Sequence, residues 1–348
     1  MTRTVAIVCS SFLALLSCLR GASADLPALA PALPDAPARS FEFTYQVHFP
    51  ATPNAGSTTR LWLPLPRDDG FQDVRSLHLD SPAKYAQLYD PEYKNRIAMF
   101  KPSAQQAAAG FDVTVRFVAV RSEHRVSLTG APPQHPSNAT PDRLLLRFLA
   151  PDKLVPIDGP LAALALAHTS PGMSPLQKSR GLYDYVVSAM HDDASGEGAG
   201  RGDALWAASS LRGNSADVHS LLIALLRASS IPARFAVGFP LPPDKSAGDI
   251  PSYDSWAEFY IPGVGWVPVD ASEASKNPTQ QEYFFGATDA NRVFFTYGRD
   301  LRLSSDQQGA PLNFFIYPYA EVNGQPVLHL ASHFSFRDVT VSPPSLGN

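Results

Sequence analysis

Between Phe41 and Phe49 apolar and polar side chains alternate without a break. Phe41, Phe43, Tyr45, Val47 and Phe49 are apolar, and Glu42, Thr44, Gln46 and His48 lie between them. A period of two predicts a strand with one buried face. Shorter runs at Thr59–Leu63, Val74–Leu79, Ile97–Phe100 and Asp112–Val120 are separated by Gly, Pro and Asp. Together they predict a β-sandwich-like N-terminal domain over residues 41–150. Trp62, in Arg60-Leu61-Trp62-Leu63-Pro64-Leu65-Pro66, reads as an aromatic anchor of that sandwich core. Leu144–Leu149 leads into Pro151 and Pro156, which mark the boundary. The period then changes. Ser174-Pro175 is an N-cap followed by a proline at the first helical position, and Leu182, Tyr183, Val186, Val187 and Met190 recur at helical spacing. A further helix opens at Asn214 or Ser215, with Val218, Leu221, Leu222, Leu225 and Leu226 on its apolar face. Strands return at Phe235–Phe239, Trp256–Ile261 and Trp266–Val269. More are expected at Phe284-Phe285, Val293–Thr296, Asn313–Ile316 and Phe334–Phe336. The order of elements gives an α+β fold class, with a second domain at 151–340 and a disordered tail at 341–348.

The N-terminus changes the chemistry available. Arg3, the apolar run Val5–Leu16 and Ala22-Ser23-Ala24 have the three parts of a signal peptide over residues 1–24, cleaved after Ala24. A minor alternative is lipid attachment at Cys18. Residues 25–40 read as a Pro/Ala-rich linker. The two cysteines are Cys9 and Cys18, both inside the signal, so an exported chain has no thiol. Removing residues 1–24, with Arg3 and Arg20 and no acid, takes the formal charge from −4 to −6. No basic stripe is present, which sets nucleic-acid binding aside. No segment is apolar enough to predict a transmembrane span. The glycine-rich run Gly196–Asp203 lacks the Lys-Ser/Thr pair of a phosphate-binding loop.

Two stretches carry candidate chemistry: RGNSADVHSLLIALLRASSIPARFAVGFP at 212–240 and YDSWAEFYIPGVGWVPVDASEA at 253–274. Both resemble the core of transglutaminase-like proteins, a branch of the papain-like cysteine enzymes. The resemblance implies helices packed on an antiparallel sheet. It also implies a catalytic Cys at the start of the helix, a His two residues before the Trp, and an Asp after the next strand. Here those positions read Ser215, Asp254 and Asp270. A helix N-terminus stabilises a thiolate and an oxyanion, His moves the proton, and Asp orients the His. Ser215 is not acidic enough to react without a base, and reads as a helix N-cap. Asp254 is a poor base for an alcohol. Asp217 and His219 belong to a D-x-H run that relatives with an intact triad also carry, so the resemblance makes His219 a hydrogen-bonding residue of the fold.

Hairpin register decides whether Asp254 and Asp270 meet. A four-residue loop at 262–265 puts them on opposite faces; an odd loop or a glycine bulge puts them on one face. Two neighbouring carboxylates then need a shared proton, a cation, or an Arg or Lys partner. The expectation is an exported pseudoenzyme that binds a peptide or protein ligand in its cleft, with no cofactor and no metal. The alternative is an amide or peptide hydrolase, or an acyltransferase, that uses Ser215 or a metal-assisted Asp254/Asp270 site.

Overall fold

The computed structural model describes residues 36–53, 58–128, 143–193, 195–328 and 330–341. The signal segment with Cys9 and Cys18, most of the linker, and the tail beyond residue 341 lie outside the described residues. Among the described residues no helix is long and apolar enough to cross a membrane.

The alternating segment forms the strand Ala38–Phe49, with Phe41, Phe43, Tyr45, Val47 and Phe49 all buried. It lies at the centre of a five-stranded antiparallel sheet, in the order Ala247–Asp249, Ala331–Asp338, Ala38–Phe49, Phe111–Ser122, Gln72–Asp80. Register puts Phe43 opposite both Phe117 and Phe336. Its ring lies 5.2 Å from Phe117 and 5.6 Å from Phe239. Burying such a side chain contributes about 1.5–3 kcal/mol, so this aromatic stripe fixes which face turns inward.

A second five-stranded antiparallel sheet runs Gln325–Pro326, Tyr319–Val322, Arg60–Pro64, Arg96–Phe100, Tyr85–Tyr89. Leu61, Leu63, Ala98 and Phe100 face the core shared with the first sheet. Trp62 points the other way. It packs in a separate cluster with Ile97, Met99, Trp256 and Trp266 and donates from Nε1 to Ser304 Oγ at 3.1 Å. The tryptophan therefore anchors the contact with a third sheet, not the sandwich interior. Alternation alone does not say which face of a doubly covered strand meets which neighbour. Both sandwich sheets take strands from beyond residue 318, so they draw on both sides of the boundary read near residue 150.

The third sheet has four antiparallel strands, in the order Gly265–Val269, Asp254–Ile261, Ala233–Pro240, Arg292–Tyr297. Helix Ser215–Ala228 lies against it and is buried almost all round. The helix Pro175–Ala189 opens with Ser174 as N-cap and proline in the first turn. Two expected strands are absent. Gln281–Phe284 is a helical turn, with Phe285 bridged to Val269, and Asn313–Ile316 is irregular chain. A short apolar pair has no period, so burial there was legible and conformation was not.

The strand Ala233–Pro240 shifts register against its neighbour between Val237 and Gly238. A Cβ at Gly238 would sit 1.8 Å from the Val293 carbonyl oxygen. Gly238→Ala is therefore expected to lower stability by about 3 kcal/mol or more, measured by urea denaturation. A loss below about 1 kcal/mol would mean the strands can part without cost.

Candidate functional site

The helix N-terminus is built first. Asn214 is the N-cap: its Oδ1 accepts from the Ala216 N–H at 2.9 Å, and its own N–H donates to Asp217 Oδ2 at 3.1 Å. This corrects the reading of Ser215 as the cap. Ser215 is the first helical residue, and its hydroxyl faces the strand that begins at Asp254. It accepts from the Ser255 N–H and from the Ser255 hydroxyl, each at 3.2 Å. Asp217 also accepts from the N–H groups of Gly200 and Gly202, at 2.6 and 2.8 Å. The glycine-rich loop thus turns its backbone donors onto the protein's own carboxylate, which fastens the loop to the helix.

The hairpin takes the odd-length option. Ile261 pairs with Gly265 and Ala257 with Val269. The turn is closed by the Val264 N–H on the Ile261 carbonyl at 3.0 Å, with Gly263 and Gly265 at φ of 78° and 101°. That register places Asp270 opposite Trp256, on the face that Asp254 shares. On the next strands Gly238 pairs with both Asp254 and Phe294, and Pro240 with Arg292. Asp254, Trp256, Asp270 and Arg292 therefore project from one face, and the Arg292 guanidinium carbon lies 5.1 Å from the Trp256 ring centroid.

Arg292 relieves the carboxylate pair. Its Nη1 is 2.9 Å from Asp270 Oδ2 and 3.9 Å from Asp254 Oδ2, and its Nε is 3.4 Å from Asp289 Oδ1. Burial opposes the guanidinium charge, but Asp289, Asp270 and Asp254 more than offset that and hold it firmly protonated. Burial pushes the Asp254 carboxyl above its usual range, Asp270 adds repulsion, and Arg292 and Lys276 pull it back. Asp270 is also raised by burial and held back chiefly by Arg292. Its other oxygen accepts from the Glu273 N–H at 3.0 Å, capping the helix Ala271–Lys276. Among the described residues no three His, Cys, Asp or Glu side chains form a group suited to a metal ion.

His219 lies within the helix and is fully buried. Its Nδ1 is 2.7 Å from the Ser215 carbonyl, and its Nε2 accepts from the Ala271 N–H at 3.0 Å. These partners require the neutral ring with the proton on Nδ1. Burial is the main reason its pKa is pushed down to about 4, against the pull of Asp254. Both ring nitrogens are occupied away from the Ser215 hydroxyl. An unfolded histidine titrates near 6.5, so the native state binds fewer protons than the unfolded chain between about pH 4 and 6.5. In that window this group lowers stability as pH falls. Nitrogen spectra of labelled histidine are expected to show His219 neutral at pH 5.5; a midpoint near 6.5 would contradict these bonds.

The structure thus brings together Ser215, Asp254 and Asp270 around the end of one helix and one hairpin, with Ser215 and Asp254 only 6% and 8% exposed. Sequence reasoning missed Ser255 and Arg292. The first carried no motif. The second was implied by the need for a cation, and lies in YFFGATDANRVFFTYGRDL, a stretch that continues the resemblance.

Residues 162–271, which include all three positions, match the family model of the transglutaminase-like superfamily. The match covers 110 of the 348 residues. An uncharacterized protein of Haemophilus influenzae is 28% identical over 333 residues, covering 83% of this chain and 88% of its own. A crystal structure of a candidate cysteine protease from Cytophaga hutchinsonii superposes with a TM-score of 0.61 at 18% identity, covering 88% of this chain and 93% of the other. That likeness extends the shared fold well beyond residues 162–271, through most of the sheets described above.

Proposed function

We propose that the chain is a non-catalytic transglutaminase-like protein, exported with residues 1–24 removed, that holds a peptide or protein ligand at the cell envelope. Ser215, Asp254 and Asp270 stand in this reading where an active relative has Cys, His and Asp. The observation that carries it is the place of Arg292. A guanidinium bound to Asp270 and close to Asp254 turns the pair into an ion-pair contact, and a carboxylate engaged in this way is a poor base for an alcohol. The Ser215 hydroxyl is engaged by Ser255, and the His219 ring by backbone groups. A serine without a base is a poor nucleophile. The same guanidinium stands against the metal-assisted alternative, because a second cation beside the carboxylates would be repelled.

The test is activity on the purified, processed chain. No labelling of Ser215 by a fluorophosphonate probe is expected above that of a Ser215→Ala control, and no amide hydrolysis or transamidation above the buffer rate. Turnover that disappears in Ser215→Ala, or that depends on Asp254 and is lost on chelation, would replace this reading with an enzymatic one.

A further inference from the structure

The edge strand Tyr85–Tyr89 and the turn after it frame a cleft of about 320 Å³, lined by Arg67, Asp68, Tyr89, Lys94 and Arg96. Three cations stand against one acid among the lining residues, with Asp90 in the wall behind them close enough for its charge and that of Arg67 to attract. Among the described residues none of the three makes an ion pair. Arg67 donates to the carbonyls of Tyr93 and Lys94, both at 3.1 Å, and Lys94 Nζ to the Pro91 carbonyl at 3.1 Å. Arg96 donates to Gln87 Oε1 at 3.0 and 2.8 Å. Asp68 is occupied by the Val74 N–H at 2.6 Å. Cations bonded to neutral acceptors keep their charge available, and a charged acceptor gives them stronger bonds.

The cleft wall is held in place. Buried Asp90 collects the N–H groups of Glu92, Tyr93 and Asn95, at 3.0, 2.7 and 2.5 Å. Asn95 exchanges two hydrogen bonds with the Tyr297 backbone, at 2.7 and 2.8 Å. This turn keeps Lys94 at φ 59°, a conformation that costs a non-glycine residue about 1–2 kcal/mol. Arg67 secures it from below through the two carbonyls. Tyr89 is 56% exposed and pairs across the strands with Arg96. A flat ring thus stands beside Arg96 and lines the same cleft as Lys94.

We propose that this cleft binds a sugar-sized anion, a sugar phosphate or a sugar acid, with its phosphate or carboxylate between Lys94 and Arg96 and its ring against Tyr89. The volume lies at the lower end of small-molecule sites, about 300–1,000 Å³, which suits one sugar ring. A nucleic acid would need a longer basic stripe. The site stands apart from Ser215, Asp254 and Asp270 and does not depend on their role.

Titration calorimetry on the full chain tests it with glucose 6-phosphate, glucuronate, glucose and inorganic phosphate. At least one anionic sugar is expected to bind with a Kd below ~1 mM, ~10-fold or more tighter than glucose and inorganic phosphate. Lys94→Asn with Arg96→Gln should weaken that binding by ~10-fold or more; asparagine tolerates the left-handed turn, so the wall is kept. Tyr89→Ala should weaken the sugar anion and leave inorganic phosphate unchanged. The proposal is overturned if neither anionic sugar binds, if the double variant binds as the native chain does, if inorganic phosphate binds equally well, or if a short single-stranded DNA binds more tightly than either sugar.

Discussion

Arg292→Met is expected to remove about 3–5 kcal/mol of stability at pH 8, because it leaves the buried Asp254 and Asp270 carboxyls without their shared cation. The loss should depend on pH in a defined direction. Both carboxyls sit above their ordinary range, so the native state holds protons more tightly than the unfolded chain. Their burial weighs more on stability as pH rises from about 4. Without Arg292 both are raised further and the window widens upward. The gap between variant and native chain should therefore shrink by more than half between pH 8 and pH 4.5. The opposite trend of His219 is present in both proteins and weaker in the variant, because Arg292 is one of the charges that hold its pKa down, so its change adds to the narrowing at low pH. Urea denaturation at the two pH values reads this directly. A gap that stays constant, or is under about 1 kcal/mol at pH 8, would show that Arg292 does not neutralise the pair.

On the proposed reading, placing Cys at position 215 and His at position 254 should create a reactive thiol. In Ser215→Cys with Asp254→His, the new sulfur lies at the helix N-terminus and the new ring stands beside Asp270. Its pKa is expected to fall from about 8.5, the free-cysteine value, to about 6.5. Lower intrinsic nucleophilicity offsets part of the gain in thiolate. Alkylation by iodoacetamide at pH 6 should still be ~10-fold faster than in Ser215→Cys alone. Burial of the position slows both variants alike, so the ratio is informative. Arg292 limits the effect, since a guanidinium close to position 254 opposes an imidazolium. Equal rates would mean that positions 215 and 254 no longer share the geometry of a nucleophile and its base.

Strands of the N-terminal half were legible where one face is buried and alternation reports it, as in Phe41 to Phe49; Arg60–Pro64 is covered on both faces, and the largely exposed Tyr85–Tyr89 carried no pattern. The helix Pro175–Ala189 was legible from Ser174 and Pro175. Hairpin parity was not, because Pro262-Gly263-Val264-Gly265 permits either loop; the positive φ of both glycines and the Ile261–Gly265 pair decide it. Nor was the cap. Asn214 and Ser215 are both good capping residues, and only the bonds to Ala216 and Ser255 separate them. Arg292 lies on a strand paired with neither Asp254 nor Asp270, so its role depends on sheet order, which a local pattern does not contain.

Ala331–Asp338 lies beside Ala38–Phe49, and the Arg39–Asp338 ion pair joins positions 299 apart in the chain. Such pairing is slow to form, since the intervening chain must be closed into a loop before any contact repays it. During synthesis Ala38–Phe49 emerges well before Ala331–Asp338, its neighbour on that side. A nascent chain stalled before residue 331 would leave one edge of Ala38–Phe49 open to other molecules, so the sheet depends on synthesis past residue 338, or on a chaperone, for its cover.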